Sequence, residues 1–256
     1  MFMWPESIAS RGSAEIGSCI LQYLRLRASD ATNLIVFSDA CGGQNRNINI
    51  ACLWMYIVSS SEFNYSVIDH KFMVSGHSYL PNDRDFGSIE NANRRTQLVY
   101  VPEDWCTLVE RARSKNPFQV VRIKREDFVS VKNIRAEIVH RKVNTKKEKV
   151  EWLNIRWIEL RKEKPFEIRY RYSHNCLEAW KILDVQRKRV GRPPDPGRIP
   201  LERFGATPRP INTKKLQDLR ELLDFIPPVH HAFYNDLQSA ADAHSESEEE
   251  EEDPTD

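Results

Sequence analysis

The first hundred residues predict an α/β layer fold with a largely parallel sheet, and three observations lead there. Short apolar runs alternate with segments of helical periodicity, in strand–helix–strand–helix order. One run, NLIVFSD at 33–39, ends in a polar tip, as a buried central strand does where it meets a crevice. The composition allows a packed core, since 40% of the 256 residues are hydrophobic and 29% are charged.

The elements follow in order. FMW at 2–4 reads as a short strand. Ser13 reads as the N-cap of AEIGSCILQYLRLR, in which Ile16, Ile20, Leu21 and Leu24 recur at helical spacing. After the 33–39 run, ACGGQN supplies a glycine turn and RNINIACLWMYIVSS at 46–60 a strongly apolar helix. SVIDHKFMVSG at 66–76 is the next strand. Pro81 opens a helix running to about Asn93, with Asn82, Asp83 and Asp85 in its first turn, where carboxylates suit the helix dipole. Beyond residue 100 a helix is predicted at 102–115 and a strand at 118–124. The aromatic and β-branched stretches VEWLNIRWIEL and FEIRYRYS, around 150–173, suggest antiparallel strands. RKRVGRPPDPGRIP at 187–200 reads as a basic linker. TKKLQDLRELLDF at 213–225 reads as an amphipathic helix, IPPVHHAFYNDL as a compact cap, and the chain from about Ala240 as a disordered acidic tail. There is no internal repeat.

Charge is strongly segregated along the chain. Residues 1–110 carry 8 Lys/Arg against 12 Asp/Glu, residues 111–220 carry 30 against 13, and residues 221–256 carry 12 acids and no Lys or Arg. A basic stretch followed by an acidic tail suggests a polyanion-facing surface and a tail that competes for it; a solvated face with a solubilising end gives the same pattern. The five cysteines are widely spaced with no CxxC pair, which fits reduced thiols in an intracellular protein. No apolar run reaches the ~20 residues of a membrane span, and the N-terminus has no secretory signal pattern.

The sharpest chemical feature is Asp39, a carboxylate at the end of a strand just before a glycine turn. HKFMVSGHSYLPNDRDFGSIE at 70–90 returns His77, Asp83, Asp85 and Glu90. Convergent carboxylates hold hard cations such as Mg²⁺, which in pairs activate water for phosphodiester chemistry. Acids at strand ends and helix N-termini also serve as caps. Gln44 and Asn45 suit a phosphate, the Asp39 carboxylate or a helix cap. Trp152, Trp157, Tyr170 and Tyr172 interleave with arginines and suit either base stacking or a sheet core with Arg edges. His230 and His231 are adjacent, so their side chains diverge, and a packed cap explains them better than a metal site. VGRPPDPGR is a partial match to an AT-hook, with valine in place of the first arginine.

FSDACGGQNRNINIACLWMYIV and IDHKFMVSGHSYLPNDRDFGSIE resemble a transposase-derived domain of unknown function. WPESIASRGSAEIGSCIL, KVNTKKEKVEWLNIRWI and RPINTKKLQDLRELLDFIPPVHHAFYNDL extend the resemblance over roughly residues 1–238. It implies an RNase H-like transposase core: a mixed sheet flanked by helices and lacking its first strands, with a C-terminal α+β extension. The expected organisation is a partial core at 1–115, a basic region at 116–238 and the tail at 239–256. It implies Asp39 as the second metal-binding acid and Asp83 as the third, with Glu90 as its alternative, for Mg²⁺ or Mn²⁺. His77 would orient water or phosphate, or be a turn histidine bonded to backbone. The first acid of such a site is missing, since no Asp precedes Asp30, which lies in the polar loop RASDATN. The expectation is therefore an intracellular, nuclear, transposase-derived protein that binds DNA and has lost catalysis. Arg187, Lys188, Arg189, Arg192 and Arg198 are the expected DNA contacts. The rival is a non-catalytic nucleic-acid or protein interaction module.

Overall fold

The computed structural model describes residues 1–74, 76, 80–96, 98–188, 191 and 193–239. The chain runs through β1 (Phe2–Met3), α1 (Ser13–Leu26), β2 (Asn33–Ser38), α2 (Ile48–Ser59), β3 (Val67–Phe72), α3 (Pro81–Arg95) and α4 (Pro102–Arg111). It continues through β4 (Val121–Arg122), β5 (Val129–Ser130), α5 (Lys132–Glu137), β6 (Trp157–Arg161), β7 (Glu167–Arg171) and β8 (Lys181–Asp184). β9 (Glu202–Arg203), α6 (Thr213–Glu221) and α7 (His231–Asn235) complete the described part. These elements form two compact units, each drawn from separate stretches. One comprises Ser10–Gly87 and Glu126–Gly205; the other comprises Met1–Ala9, Ser88–Arg125 and Ala206–Asp256.

The first unit is built on a five-stranded mixed sheet in the order β2-β3-β6-β7-β8. Only β2 and β3 run parallel; the other three joints are antiparallel. This corrects the expectation of a largely parallel sheet. The reason lies after β6, where the short turn at 162–166 joins neighbouring strands, and a connection that short permits only antiparallel pairing.

One face of this sheet is covered. Ile68 and Phe72 of β3, Ile158 and Leu160 of β6, Ile168 and Tyr170 of β7 and Leu183 of β8 point into the core. α2 lies against them, packed on β3 and β6 and flanked by α1 and α5. Its buried residues run almost continuously from Ile48 to Val58, so it is apolar on every side, as an enclosed helix must be. Asn47 caps it by accepting the Ile50 N–H at 3.1 Å. α1 starts one residue differently from expectation: Gly12 is its N-cap, and Glu15 reaches back to accept from the Gly12 and Ser10 amides. Ser13 instead accepts from Asn49 on α2.

The expected linker at 187–200 is not featureless. Its Pro196–Arg198 turn packs on the end of α2. A β-carbon on Gly197 would lie 2.4 Å from the Ser59 and Ser60 backbone, so only glycine permits this approach. VEWLN forms a single 3₁₀ turn, Trp152–Asn154, rather than strand. The acidic tail from Ala240 lies outside the described residues.

The second unit pairs β1 with β4 in parallel, which shortens the strand expected at 118–124 to two residues. Its small core gathers Ile211, Leu216, Tyr234 and Leu237, with Val101 and Phe233 against them. His231 Nε2 bonds the Ile226 carbonyl at 2.7 Å, and His230 stacks on Tyr100. No helix among the described residues is long and apolar enough to cross a membrane.

Candidate functional site

Asp39 stands directly after β2, at the carboxyl end of the parallel pair, where α/β folds gather ligands. Its Oδ1 accepts from Asn45 Nδ2 at 2.6 Å and from the Cys41 amide at 3.2 Å, which closes the glycine turn. Asn45 therefore takes the carboxylate role among its alternatives, Gln44 donates to the Arg11 carbonyl, and Asn47 caps the helix.

A hydrogen-bond chain fixes this tip from inside the core. The Trp54 indole N–H donates to His70 Nδ1 at 3.1 Å. An indole can only donate, so His70 carries its proton on Nε2 and passes it toward Ser38 Oγ, 2.9 Å away. Ser38 Oγ in turn donates to the Asp39 carbonyl at 2.8 Å. Burial pushes the His70 pKa down to about 3, consistent with a neutral ring.

The other expected acids are engaged locally. Asp83 accepts the Leu80 amide at 2.9 Å in the first turn of α3, and Glu90 pairs with Arg94 at 2.6 Å along the same helix. His77, Arg189 and Arg192 lie outside the described residues. Lys188 is exposed, Arg187 donates to the Ile138 carbonyl, and Arg198 is exposed beside Asp195. Among the described residues no group of three His, Cys, Asp or Glu side chains converges as metal ligands would.

Positive charge gathers along this end of the sheet. Arg46 follows the glycine turn and is 8% exposed. It donates only a long 3.4 Å bond to the Ile155 carbonyl, and its Nε has no partner. Burial, and then neighbouring Arg156, depress its pKa. Arg156 sits at the start of β6, its carbonyl accepting from Phe72 at the end of β3. On the face opposite α2, exposed at its β2 edge, the register places Phe37, Lys71, Trp157 and Arg171 in one row across β2, β3, β6 and β7. Lys71 Nζ lies 4.0 Å from the Trp157 ring and 5.6 Å from Phe37. The Arg171 guanidinium lies 3.9 Å from Trp180, just before β8, and 4.9 Å from Trp157. These two indoles meet edge to face, 5.1 Å apart.

None of Arg46, Lys71, Arg156 and Arg171 forms an ion pair with a described carboxylate. Some cations elsewhere in the sheet unit do: Arg161 and Arg169 share Glu159, and Lys181 pairs with Glu148. A donor set of one engaged carboxylate beside four cations suits an anion better than a divalent metal ion.

The four aromatic residues singled out by sequence divide between the faces. Tyr170 is fully buried and bonded to Asn144, while Trp152 and Tyr172 pack on the same core. Trp157 alone joins the open face. The sequence reading missed His70, Arg46, Lys71 and Arg171. The alternation of charge with apolar residues in IDHKF and EIRYR was the available signal for a sheet with one polar face. No family model, no curated protein and no solved structure matches this chain.

Proposed function

We propose that this chain is a transposase-derived, RNase H-like remnant that binds DNA without cutting it. The observation that carries the reading is a set of four cations without carboxylate partners, one each on β3 and β7, one just before β6 and one after the glycine turn, two of them buried guanidinium groups. An unpaired buried cation is costly, and a phosphate supplies the missing charge. The segregated charge of residues 111–220 supports the same partner. The likeness to an RNase H-like core is supported by the parallel β2–β3 pair with α2 between them and Asp39 at its tip, and by the motifs surrounding Asp39 and Asp83. Nuclear location belongs to the same proposal.

The test is duplex-DNA binding measured across a salt series. Affinity is expected to fall steeply with salt, and Arg46→Gln or Arg156→Gln to reduce the logarithmic slope by about 1 for each phosphate no longer neutralised. A flat salt response overturns the reading.

A further inference from the structure

We propose that the open face of the five-stranded sheet is a binding site for single-stranded nucleic acid, centred on Arg171 and Lys71; this rests on the DNA-binding reading above and names the form of nucleic acid. Arg171 is only 6% exposed, yet among the described residues its guanidinium has no hydrogen bond and no ion pair. Its Nε is fully enclosed without a partner, while its terminal nitrogens are not enclosed. Two perpendicular indoles, Trp157 and Trp180, hold the plane of the group in a corner. A guanidinium held rigid by aromatic faces and lacking a carboxylate is pre-organised for two parallel bonds to a phosphate. Lys71, on the other side of Trp157, is a second cation with no ion pair. Two strand spacings separate it from Arg171, about 10 Å.

The row ends at β2, which is the sheet's edge strand. There Phe37 is 52% exposed and Ile35, two residues earlier on the same face, is 56% exposed. The exposed Phe37 ring offers a stacking surface to a base whose own face is free. Duplex DNA has no such base to give, whereas a single strand does. Cations for the backbone beside a free ring for a base are the two components of a sequence-tolerant single-strand site. In the next row on the same face Asp69 accepts from the Trp157 N–H at 2.6 Å, with Lys71 and Arg161 as its electrostatic neighbours, and Glu159 pairs with Arg169 at 2.9 Å.

The experiment uses the full chain with labelled oligothymidylate and, separately, a labelled hairpin duplex, read by anisotropy and by tryptophan fluorescence. Lys71→Gln, Phe37→Ala and Arg171→Gln are each expected to weaken oligothymidylate binding about tenfold. Phe37→Ala should leave duplex affinity unchanged, since a duplex has no free base for that ring, and Arg171→Lys should restore only part of the loss. Binding should quench fluorescence from Trp157 and Trp180, a signal that a purely structural row would not give. If Arg171→Gln fails to fold, Lys71→Gln and Phe37→Ala still decide the question. Unchanged oligothymidylate binding in those two variants, with duplex still bound, overturns the single-strand site and leaves the DNA reading standing. Failure to bind either nucleic acid overturns both. A peptide of residues 240–256 that binds wild type but not Lys71→Gln, while oligothymidylate binds neither and duplex is still bound, overturns the single-strand site alone.

Discussion

The two faces of the five-stranded sheet are made by alternate residues of the same strands, yet they treat polar groups in opposite ways. On the covered face His70 lies between Ile68 and Phe72, neutral, with both ring nitrogens bonded. On the open face Lys71 and Arg171 meet aromatic rings rather than carboxylates. Burial under α2 tolerates only a satisfied, uncharged group; the opposite face holds charge against aromatic rings. The comparison predicts very different costs for two tryptophans. Trp54→Ala empties the joint between α2 and the sheet and should cost about 3–5 kcal/mol. Trp157→Ala removes the cation–π attraction and the bond to Asp69, and should cost about 1–2 kcal/mol. Urea unfolding of both variants measures this, and equal losses would mean that the open face is packed as a second core.

The faces should also respond oppositely to acid. His70 titrates near 6.5 when unfolded and near 3 when folded. Between those values the unfolded chain binds more protons, so this stabilisation is complete above pH 6.5 and declines as the pH falls toward 3. The loss should reach about 2 kcal/mol by pH 5, a range where ordinary carboxylates contribute little. His70→Gln should flatten that part of the profile. Asp69, on the open face, has its pKa raised by burial despite the opposing bond from Trp157. The folded state therefore holds its proton more tightly, and its contribution is present at low pH and lost as the pH rises through the folded pKa. Asp69→Asn should remove that opposing trend. Unfolding free energies from pH 3 to 8 for the three proteins separate the two effects; parallel profiles for wild type and His70→Gln would contradict the buried neutral imidazole.

Local pattern made β2, α2 and β3 legible, since an unbroken apolar helix between two apolar runs has few other readings. It also placed Asp39 at a strand tip. The mixed sheet was less legible because pairing of β3 with β6 joins residues nearly ninety positions apart, such as Lys71 and Trp157. The row of Phe37, Lys71, Trp157 and Arg171 exists only through that register, so no single stretch announces it. Gly197 was hidden for a related reason: PPDPGR has loop chemistry, and the helix end that requires its glycine lies far away in sequence.

The smallest effect on stability, and the sharpest on function, concerns Asp39. Asparagine can accept the same two bonds from Cys41 and Asn45, so Asp39→Asn should change stability by less than about 0.5 kcal/mol. Removing one carboxylate from the sheet end that carries the four cations should tighten DNA binding about threefold, because a like charge then no longer opposes phosphate. Calorimetry with Mn²⁺ provides the complementary measurement. In a site whose positive charge awaits a phosphate, neither protein should give a saturable heat, because a divalent cation would have to enter against Arg46, Lys71, Arg156 and Arg171. Saturable Mn²⁺ binding that disappears in Asp39→Asn would reverse the assignment. The cations would then be holding a substrate phosphate against a metal at Asp39, and the open face would deliver a strand to be cut rather than merely held.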